Sequence, residues 1–163
     1  MMNSKEIIYK PIGIIRSPFN TVEGVPIQPS GAEGIEGVVE VFNEFSDGLK
    51  SLEGFSHIIL VYHFHLVNGF QLEVIPFLDN NSHGIFATRA PNRPNSIGIS
   101  VVKLKSVEKN KIFIENVDIV DGTPLLDIKP YASFFHNVQN EKNGWLNGNE
   151  ALSKAIKSDE RFK

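Results

Sequence analysis

Cysteine is absent from the 163-residue chain. Disulfide bonds and zinc sites with thiolate ligands are therefore excluded, and nothing in the composition favours an oxidising compartment. Long hydrophobic runs are also absent, and the amino-terminal stretch MMNSKEIIYKPIGIIRSP mixes charged residues with short apolar runs. This pattern is typical neither of a signal peptide nor of a membrane span, so we expect a cytoplasmic protein.

The chain has no excess of positive charge, since its formal net charge is −3 at pH 7. Nonspecific affinity for nucleic acids comes mainly from neutralising phosphates, so a surface covered in lysine and arginine is excluded as the basis of function. A local basic patch is still compatible with this charge. Its candidate members could equally be scattered surface charges: Arg89, Arg93, Lys103, Lys105 and Lys129.

The nucleotide-binding motifs of common enzymes are missing as well. The single glycine-rich candidate, Gly31 to Gly37, has the wrong spacing for a dinucleotide-binding turn and is followed by no predicted helix. We interpret it as a flexible loop that leads into a strand. No P-loop and no GxSxG motif is present.

Short apolar segments separated by Gly, Pro, Asn and Asp predict a mainly β, single-domain fold, either an antiparallel barrel or a sandwich. Pro11 cannot donate a hydrogen bond, so the first strand should be an edge or bulged strand. The predicted strands are Glu6 to Ile15, Gly37 to Phe42, Ile58 to Leu66, Ile97 to Leu104 and Lys111 to Ile119.

The segment Ile58 to Leu66 predicts a central strand. Its even-numbered residues form an apolar face, and the other face carries His63 and His65 together with nearby His57. Two histidines at this spacing could bind zinc, but no third ligand can be identified, so structural or pocket histidines are the favoured interpretation.

Helical structure is predicted in two places. Glu44 to Gly54 favours a short helix or turn, and near the carboxyl end Asn149 is a plausible N-cap. An apolar stripe follows that cap, and Trp145 is expected to hold this helix on the body; the stripe consists of Ala151, Leu152, Ala155 and Ile156.

The connection FATRAPNRPNSIGIS combines two arginines with two prolines. Pro91 and Pro94 should stiffen the loop, because each fixes its own φ and restricts the residue before it. In a polyproline-like conformation Arg89, Asn92 and Asn95 would share one side, with Arg93 elsewhere. Such a loop suits ligand binding, although an ordinary strand connection fits the same residues.

The segment VDIVDGTPLLDIKPY predicts a tight turn at Asp121 and Gly122, followed by an extended exit at Thr123 and Pro124. Exposed N–H groups, a hydroxyl and carboxylates in such a turn can bind polar ligands. Asp121 could instead only stabilise the turn.

These two segments, with LEGFSHIILVYHFH and VPIQPS, resemble the TsaA-like (TrmO) family over about Ile12 to Tyr131. The resemblance implies a β-barrel, and not a Rossmann fold, that uses S-adenosyl-L-methionine to methylate the exocyclic amino nitrogen of threonylcarbamoyladenosine at position 37 of tRNA. It also implies a homodimer with the cofactor pocket near the subunit interface. The cofactor-binding residues implied by the matching motifs are Pro26, Ile27, Gln28, Phe64, His65, Arg89, Ile99, Val120, Asp121, Gly122 and Thr123.

Further assignments extend this resemblance. Asp127 and Tyr131 are candidates to assist proton removal, and Arg93, Asn95 and Lys129 are candidates for tRNA contact. No metal is required, because methyl transfer from a sulfonium is an in-line displacement. The expected organisation is a barrel over residues 7–135 with a helical tail over residues 136–163.

The chain departs from the family pattern in three respects. The family usually has arginine where Ile27 stands and proline where Ser96 stands. Longer members also carry a carboxyl-terminal extension thought to help hold tRNA, whereas this chain has only a short tail after Tyr131. A non-catalytic module that binds S-adenosylmethionine or a nucleotide is therefore the alternative function.

Overall fold

The computed structural model describes residues 6–163; residues 1–5, which begin the amino-terminal stretch considered above, lie outside it. The strands of this part of the chain are β1 (Gly13–Arg16), β2 (Glu36–Val41), β3 (His57–His63), β4 (Glu73–Val74), β5 (His83–Gly84), β6 (Ile97–Glu108), β7 (Lys111–Glu115) and β8 (Thr123–Pro130). Its α-helix is α1 (Glu150–Ala155), and its 3-10 turns are Pro29–Gly31, Asn43–Leu49, Leu52–Gly54, Ile85–Ala87, Ser133–His136 and Gly144–Leu146.

Six strands form a closed antiparallel barrel in the order β1-β2-β7-β6-β3-β8. Side chains alternate between the two faces of each strand, so every second residue points into the barrel. The core residues from these strands have almost no exposed surface: Ile15, Val39, Ile58, Leu60, Val102, Ile112, Ile114 and Leu125. The prediction of a mainly β fold built as an antiparallel barrel is confirmed.

The predicted central strand is confirmed at β3, which lies between β6 and β8. Ile58, Leu60 and Tyr62 occupy its buried face as predicted. The strand ends at His63, however, and Leu66 is exposed. The structure thus shortens the predicted segment by three residues.

The prediction for the first strand was wrong over most of its length. Strand β1 begins only at Gly13, with backbone hydrogen bonds to its neighbours from Ile12 onward, whereas Ile7, Ile8 and Tyr9 are exposed. Apolar composition suggested a strand there, but these residues lie outside the sheet. Pro11 consequently lies outside the sheet and creates neither an edge strand nor a bulge.

The sequence reasoning missed β8, which closes the barrel by pairing with both β1 and β3. The sequence reasoning assigned only an extended exit at Thr123 and Pro124; the strand contains two prolines, Pro124 and Pro130, which cannot donate to a ladder. Glu44 to Gly54 does form short 3-10 helical turns, as predicted.

The tail crosses back over the loop between β1 and β2. Pro26 forms an isolated bridge with Lys157, and Ser158 exchanges backbone hydrogen bonds with Gly24 and Val25. Helix α1 follows Asn149 as predicted, but the amide of Asn149 donates to the Leu78 carbonyl and does not cap the helix.

The apolar stripe predicted for α1 is largely exposed: Leu152 is 44% exposed, and Ile156 is only half-buried. Trp145 does fix the tail as expected. Its indole N–H donates to the Ala87 carbonyl at 2.8 Å, and its ring stacks on His83 with a centroid distance of 4.5 Å. The Nε2 atom of the same His83 ring is hydrogen-bonded to the Asp79 carboxylate at 2.7 Å.

Candidate functional site

A cleft of about 1260 Å³ opens at one end of the barrel. Its walls come from the loop after β1, the end of β3, the loop before β6, the turn before β8, and the tail. A cleft of this size with mixed polar and apolar walls is typical of a small-molecule site.

Nine of the eleven predicted cofactor residues line this single cleft, although they come from distant parts of the sequence. The barrel brings together the two loops and the two strand ends that carry them. The nine are Pro26, Ile27, Gln28, Phe64, His65, Arg89, Ile99, Val120 and Thr123. Their role in binding a cofactor stays a prediction.

Asp121 and Gly122 are not among the lining residues. The Asp121 carboxylate accepts a hydrogen bond from the Ser17 N–H at 3.1 Å and lies 3.7 Å from the Arg16 guanidinium. Gly122 has φ of +77°, which favours glycine, and donates to the Ile15 carbonyl. This turn therefore joins the start of β8 to the end of β1.

Two cofactor-loop residues contact each other directly. The Arg89 guanidinium donates to the Gln28 side-chain carbonyl at 3.0 Å across the cleft wall. This contact links the VPIQ loop to the FATR loop, which are otherwise separated along the sequence. Arg89 is exposed, so its charge is available to an anionic group in the cleft.

The loop Ala90 to Pro94 does not have the side-chain arrangement that the sequence predicted. Asn92 is 6% exposed, whereas Arg89 and Asn95 are exposed, so these three residues do not share one side. A tight bend explains the difference, because the Arg93 N–H donates to the Pro91 carbonyl at 2.7 Å. The polyproline-like alignment was therefore wrong.

The predicted tRNA contacts do not form one patch. Arg93 lines the cleft, but its guanidinium donates to the carbonyls of Ile85, Thr88 and Ala90. Lys129 lies outside the cleft lining, paired with Asp127 at 2.7 Å, and Asn95 is an exposed loop residue.

The two candidate catalytic residues also lie away from the cleft lining. Asp127 is on the outer face of β8, where its carboxylate accepts from the Ile128 N–H and pairs with Lys129. Tyr131 stacks on His136 at a centroid distance of 5.3 Å. A single chain therefore does not bring either group to the cleft.

Four carboxylates do line the cleft: Asp118 before β8, and Glu141, Glu150 and Asp159 in the tail. Asp118, which the sequence reasoning did not single out, is the one of these that is hydrogen-bonded to a barrel strand. The Ser100 hydroxyl donates to it at 2.7 Å, and the Tyr62 hydroxyl lies 3.0 Å from the Ser100 oxygen. Burial raises the pKa of Asp118 to about 7, although the Ser100 bond and the Arg89 charge oppose the rise. Burial and the Asp118 charge likewise raise the pKa of Tyr62, so the phenol is neutral.

His65 lies at the cleft, and its Nδ1 is 3.4 Å from the Thr123 hydroxyl. Burial lowers the pKa of His65, as does neighbouring His63, so its ring is neutral at pH 7. Within residues 6–163, no three His, Asp or Glu side chains converge on a point that could hold a metal ion.

The tail forms one wall of the cleft through Trp145, Leu146, Ala151 and Lys154. Phe162, at its end, is buried against Phe77 with a centroid distance of 5.2 Å. These residues lie beyond the segment from which the family resemblance was drawn. The helices of the described chain include none of the length and hydrophobicity that crossing a membrane requires.

Residues 14–137 match the family model of the tRNA-methyltransferase O N-terminal domain. The chain belongs to the TrmO family. The predicted family is thereby confirmed, and the barrel explains why no Rossmann-type glycine motif is present.

Three TrmO-family relatives illustrate the range of similarity. The chain is 55% identical over 96% of its length to a "probable S-adenosyl-L-methionine-binding protein" of Pyrococcus abyssi, of which it covers 85%. It is 36% identical over 85% of its length to the mouse tRNA (adenine(37)-N6)-methyltransferase, of which it covers 34%. The crystal structure of TrmO from Pseudomonas aeruginosa superposes with a TM-score of 0.72 at 37% identity, covering 86% of this chain and 62% of that one.

The chain thus spans about a third of the mouse enzyme and less than two thirds of the Pseudomonas structure. The name of the Pyrococcus relative supports S-adenosyl-L-methionine as the cofactor of this family.

Proposed function

We propose that this protein binds S-adenosyl-L-methionine in the cleft and methylates the exocyclic amino nitrogen of threonylcarbamoyladenosine at position 37 of tRNA. The observation that carries the proposal is the convergence of nine motif residues from four chain segments on one cleft. Membership of the TrmO family supports the same reaction.

The residues of the cleft fit the chemistry of this cofactor. Apolar side chains of Pro26, Ile27 and Phe64 offer surfaces for a planar base, and the Arg89 guanidinium suits a carboxylate. The Asp118 carboxyl supplies the opposite charge. When bound, the cofactor supplies a methyl group activated by a sulfonium, and the protein contributes position and electrostatic environment.

The reaction can be tested in cells that lack the gene. Nucleosides from tRNA of the deletion strain should lose the N6-methylated threonylcarbamoyladenosine, and restoring the gene should restore it, as measured by mass spectrometry. An unchanged nucleoside profile in the deletion strain would reject this substrate. Binding of S-adenosylmethionine by calorimetry should be the same with and without a metal chelator.

We extend the proposal to a homodimer formed through the outer face of β6. Three apolar residues there are substantially exposed, with Ile97 at 41%, Ile99 at 50% and Val101 at 36%. Ile97 and Ile99 also line the cleft, so such an interface would border it. A second copy could supply groups such as Asp127 and Tyr131 that lie outside the cleft of their own chain.

The substitution Val101→Asp tests this interface, because Val101 does not line the cleft. Light scattering after size exclusion should give a dimer for the wild type and a monomer for the variant. A monomeric wild type at micromolar concentration would exclude the dimer.

A non-catalytic S-adenosylmethionine-binding module is the second candidate. The position of Asp127 and Tyr131 outside the cleft favours it, as does the pairing of Lys129 with Asp127. Cofactor binding without methylation of any tRNA by the purified protein would support this alternative.

A further inference from the structure

Asp118 belongs to a hydrogen-bonded chain that leads from the barrel interior to the cleft. Tyr62 and Ser100 are buried, at 5% and 2% exposure. Because the Ser100 hydroxyl donates its proton to Asp118, it accepts from the Tyr62 hydroxyl. Both donors therefore point toward the carboxyl group, an arrangement that favours a negative charge at Asp118.

Among residues 6–163, the side-chain donor to this carboxyl group is Ser100, which donates to Oδ1. A hydrogen bond from the backbone of Asp118 itself also favours the charged form. No described lysine, arginine or histidine lies within ion-pair distance of it, in contrast to Asp121 and Asp127. Asp118 is half-buried at the cleft, and a carboxylate partly removed from water without an ion pair is costly unless a ligand compensates it.

The other groups around the cleft do not supply this compensation. The charge of Arg89 favours the charged form of Asp118, but the guanidinium forms no ion pair with this carboxyl group and donates to Gln28. His65 is neutral at pH 7, because burial and His63 lower its pKa. Tyr62 is a neutral donor. Asp118 is consequently a carboxyl group with a pKa of about 7 for which no cation of the described chain is the direct partner, and a cationic ligand in the cleft would favour its charged form.

We propose that the Asp118 carboxylate is the contact for the cationic part of S-adenosyl-L-methionine, its sulfonium or its α-ammonium group. The inference rests on the proposed binding of this cofactor. Arg89 and Asp118 would then hold opposite charges of one ligand, and Ser100 would orient the carboxyl group for this contact.

The inference predicts a linkage between cofactor binding and the ionisation of Asp118. A cation next to the carboxyl group favours its charged form, so binding below pH 7 should release a proton. Affinity should accordingly rise from pH 5.5 to pH 7 as the free carboxyl group ionises, with the pKa of Asp118 near 7. Isothermal titration calorimetry in buffers of different ionisation enthalpy measures both quantities.

The substitution Asp118→Asn keeps the size of the side chain and removes its charge. At pH 7 it should weaken S-adenosylmethionine binding about ten- to a hundredfold, the range for loss of a contact between charged groups. The proton release at pH 6 and the pH dependence of affinity should both disappear. Asp47→Asn is the matched control, because Asp47 is exposed and does not line the cleft, and it should change neither quantity.

Two cofactor analogues separate the two cationic groups. S-adenosylhomocysteine keeps the ammonium but lacks the sulfonium, and methylthioadenosine lacks both. If the sulfonium is the partner, Asp118→Asn weakens only S-adenosylmethionine; if the ammonium is, it weakens the first two ligands alike. Equal losses for all three ligands, or no loss for any, would overturn the inference.

Ser100→Ala provides a second test should Asp118→Asn fail to fold. It leaves the carboxyl group but removes a donor that lowers its pKa, so the midpoint of the affinity change should move to higher pH. An unchanged midpoint would overturn the inference. Wild-type protein that binds no S-adenosylmethionine would instead reject the proposed function, and with it this contact.

Discussion

Asp118 and Asp127 are the same residue type in one short segment, yet the barrel wall gives them different environments. Asp118 lies toward the interior beside Ser100, and burial raises its pKa to about 7. Asp127 is on the outer face with its side chain 47% exposed and pairs with Lys129. The comparison teaches that the partners of a carboxyl group here depend on its place in the fold: the cleft-facing group has a hydroxyl donor, and the outer group has a lysine.

The largest effect on stability should come from adding a side chain at Gly98, near the start of β6. A Cβ at Gly98 would lie 2.6 Å from Cζ of Tyr62 and 2.8 Å from Cζ of Phe64. Tyr62 cannot easily move, because its hydroxyl is bonded to Ser100. Gly98→Ala should therefore lower the free energy of unfolding by about 3 kcal/mol, the upper range for overpacking.

Chemical denaturation measures this change in unfolding free energy. Gly48→Ala is the matched control, since a Cβ there meets no atom within 4 Å and its φ is not positive. If both glycine variants were equally stable, the close contact at Tyr62 would be disproved.

The next largest effect should be on the pH dependence of stability, through the carboxyl group of Asp118. Because the pKa of Asp118 in the folded protein lies above its ordinary value of 3.8, the folded state binds a proton that the unfolded state lacks between about pH 4 and pH 7. This contribution to stability is present at low pH and is lost as pH rises through 7. Asp118→Asn should remove that loss and stabilise the protein at pH 8 by about 2 kcal/mol relative to wild type.

Urea unfolding of both proteins at pH 5.5 and pH 8 gives the difference curve. Other titrating groups cancel in this difference because both proteins share them. A stability difference that does not vary with pH would show that the Asp118 carboxyl group is not buried in the way described.

A smaller effect is expected at the cleft rim. Arg89→Ala removes an exposed guanidinium and its bond to Gln28, so cofactor affinity should fall about tenfold while the unfolding free energy changes little. Calorimetric titration with S-adenosylmethionine measures the loss. Lys111→Ala removes an equal charge away from the cleft lining, where it pairs with Glu40, and should leave affinity unchanged; equal affinities for all three proteins would exclude Arg89 from the site.

The smallest effect should come from the outer carboxyl group. Asp127→Asn breaks a surface ion pair with Lys129, and exposed pairs of this kind contribute about 0.5 kcal/mol or less. Urea unfolding at pH 7 should therefore give a free energy within about 0.5 kcal/mol of wild type. A clearly larger loss would show that this ion pair is not the exposed surface contact described.

The sequence was sufficient for a mainly β fold because alternation of buried residues is visible in β3, as at Ile58 and Leu60, and the family resemblance then favoured a barrel over a sandwich. It failed at β8, where proline masks the strand, and at Ile7 to Tyr9, where apolar residues have no partner strand. Within the site, motif similarity identified the loops that converge. It could not show which carboxyl group turns inward, since this depends on register and strand closure that local sequence does not determine.

Each of the six barrel strands is hydrogen-bonded to a neighbour on both sides, so none of them has an edge open for strand addition. Another macromolecule can therefore meet the barrel wall only through side chains and loops. Recognition of a second copy or of an RNA must then be encoded in individual surface residues, and single substitutions on the wall can abolish an association without disturbing the backbone ladder beneath.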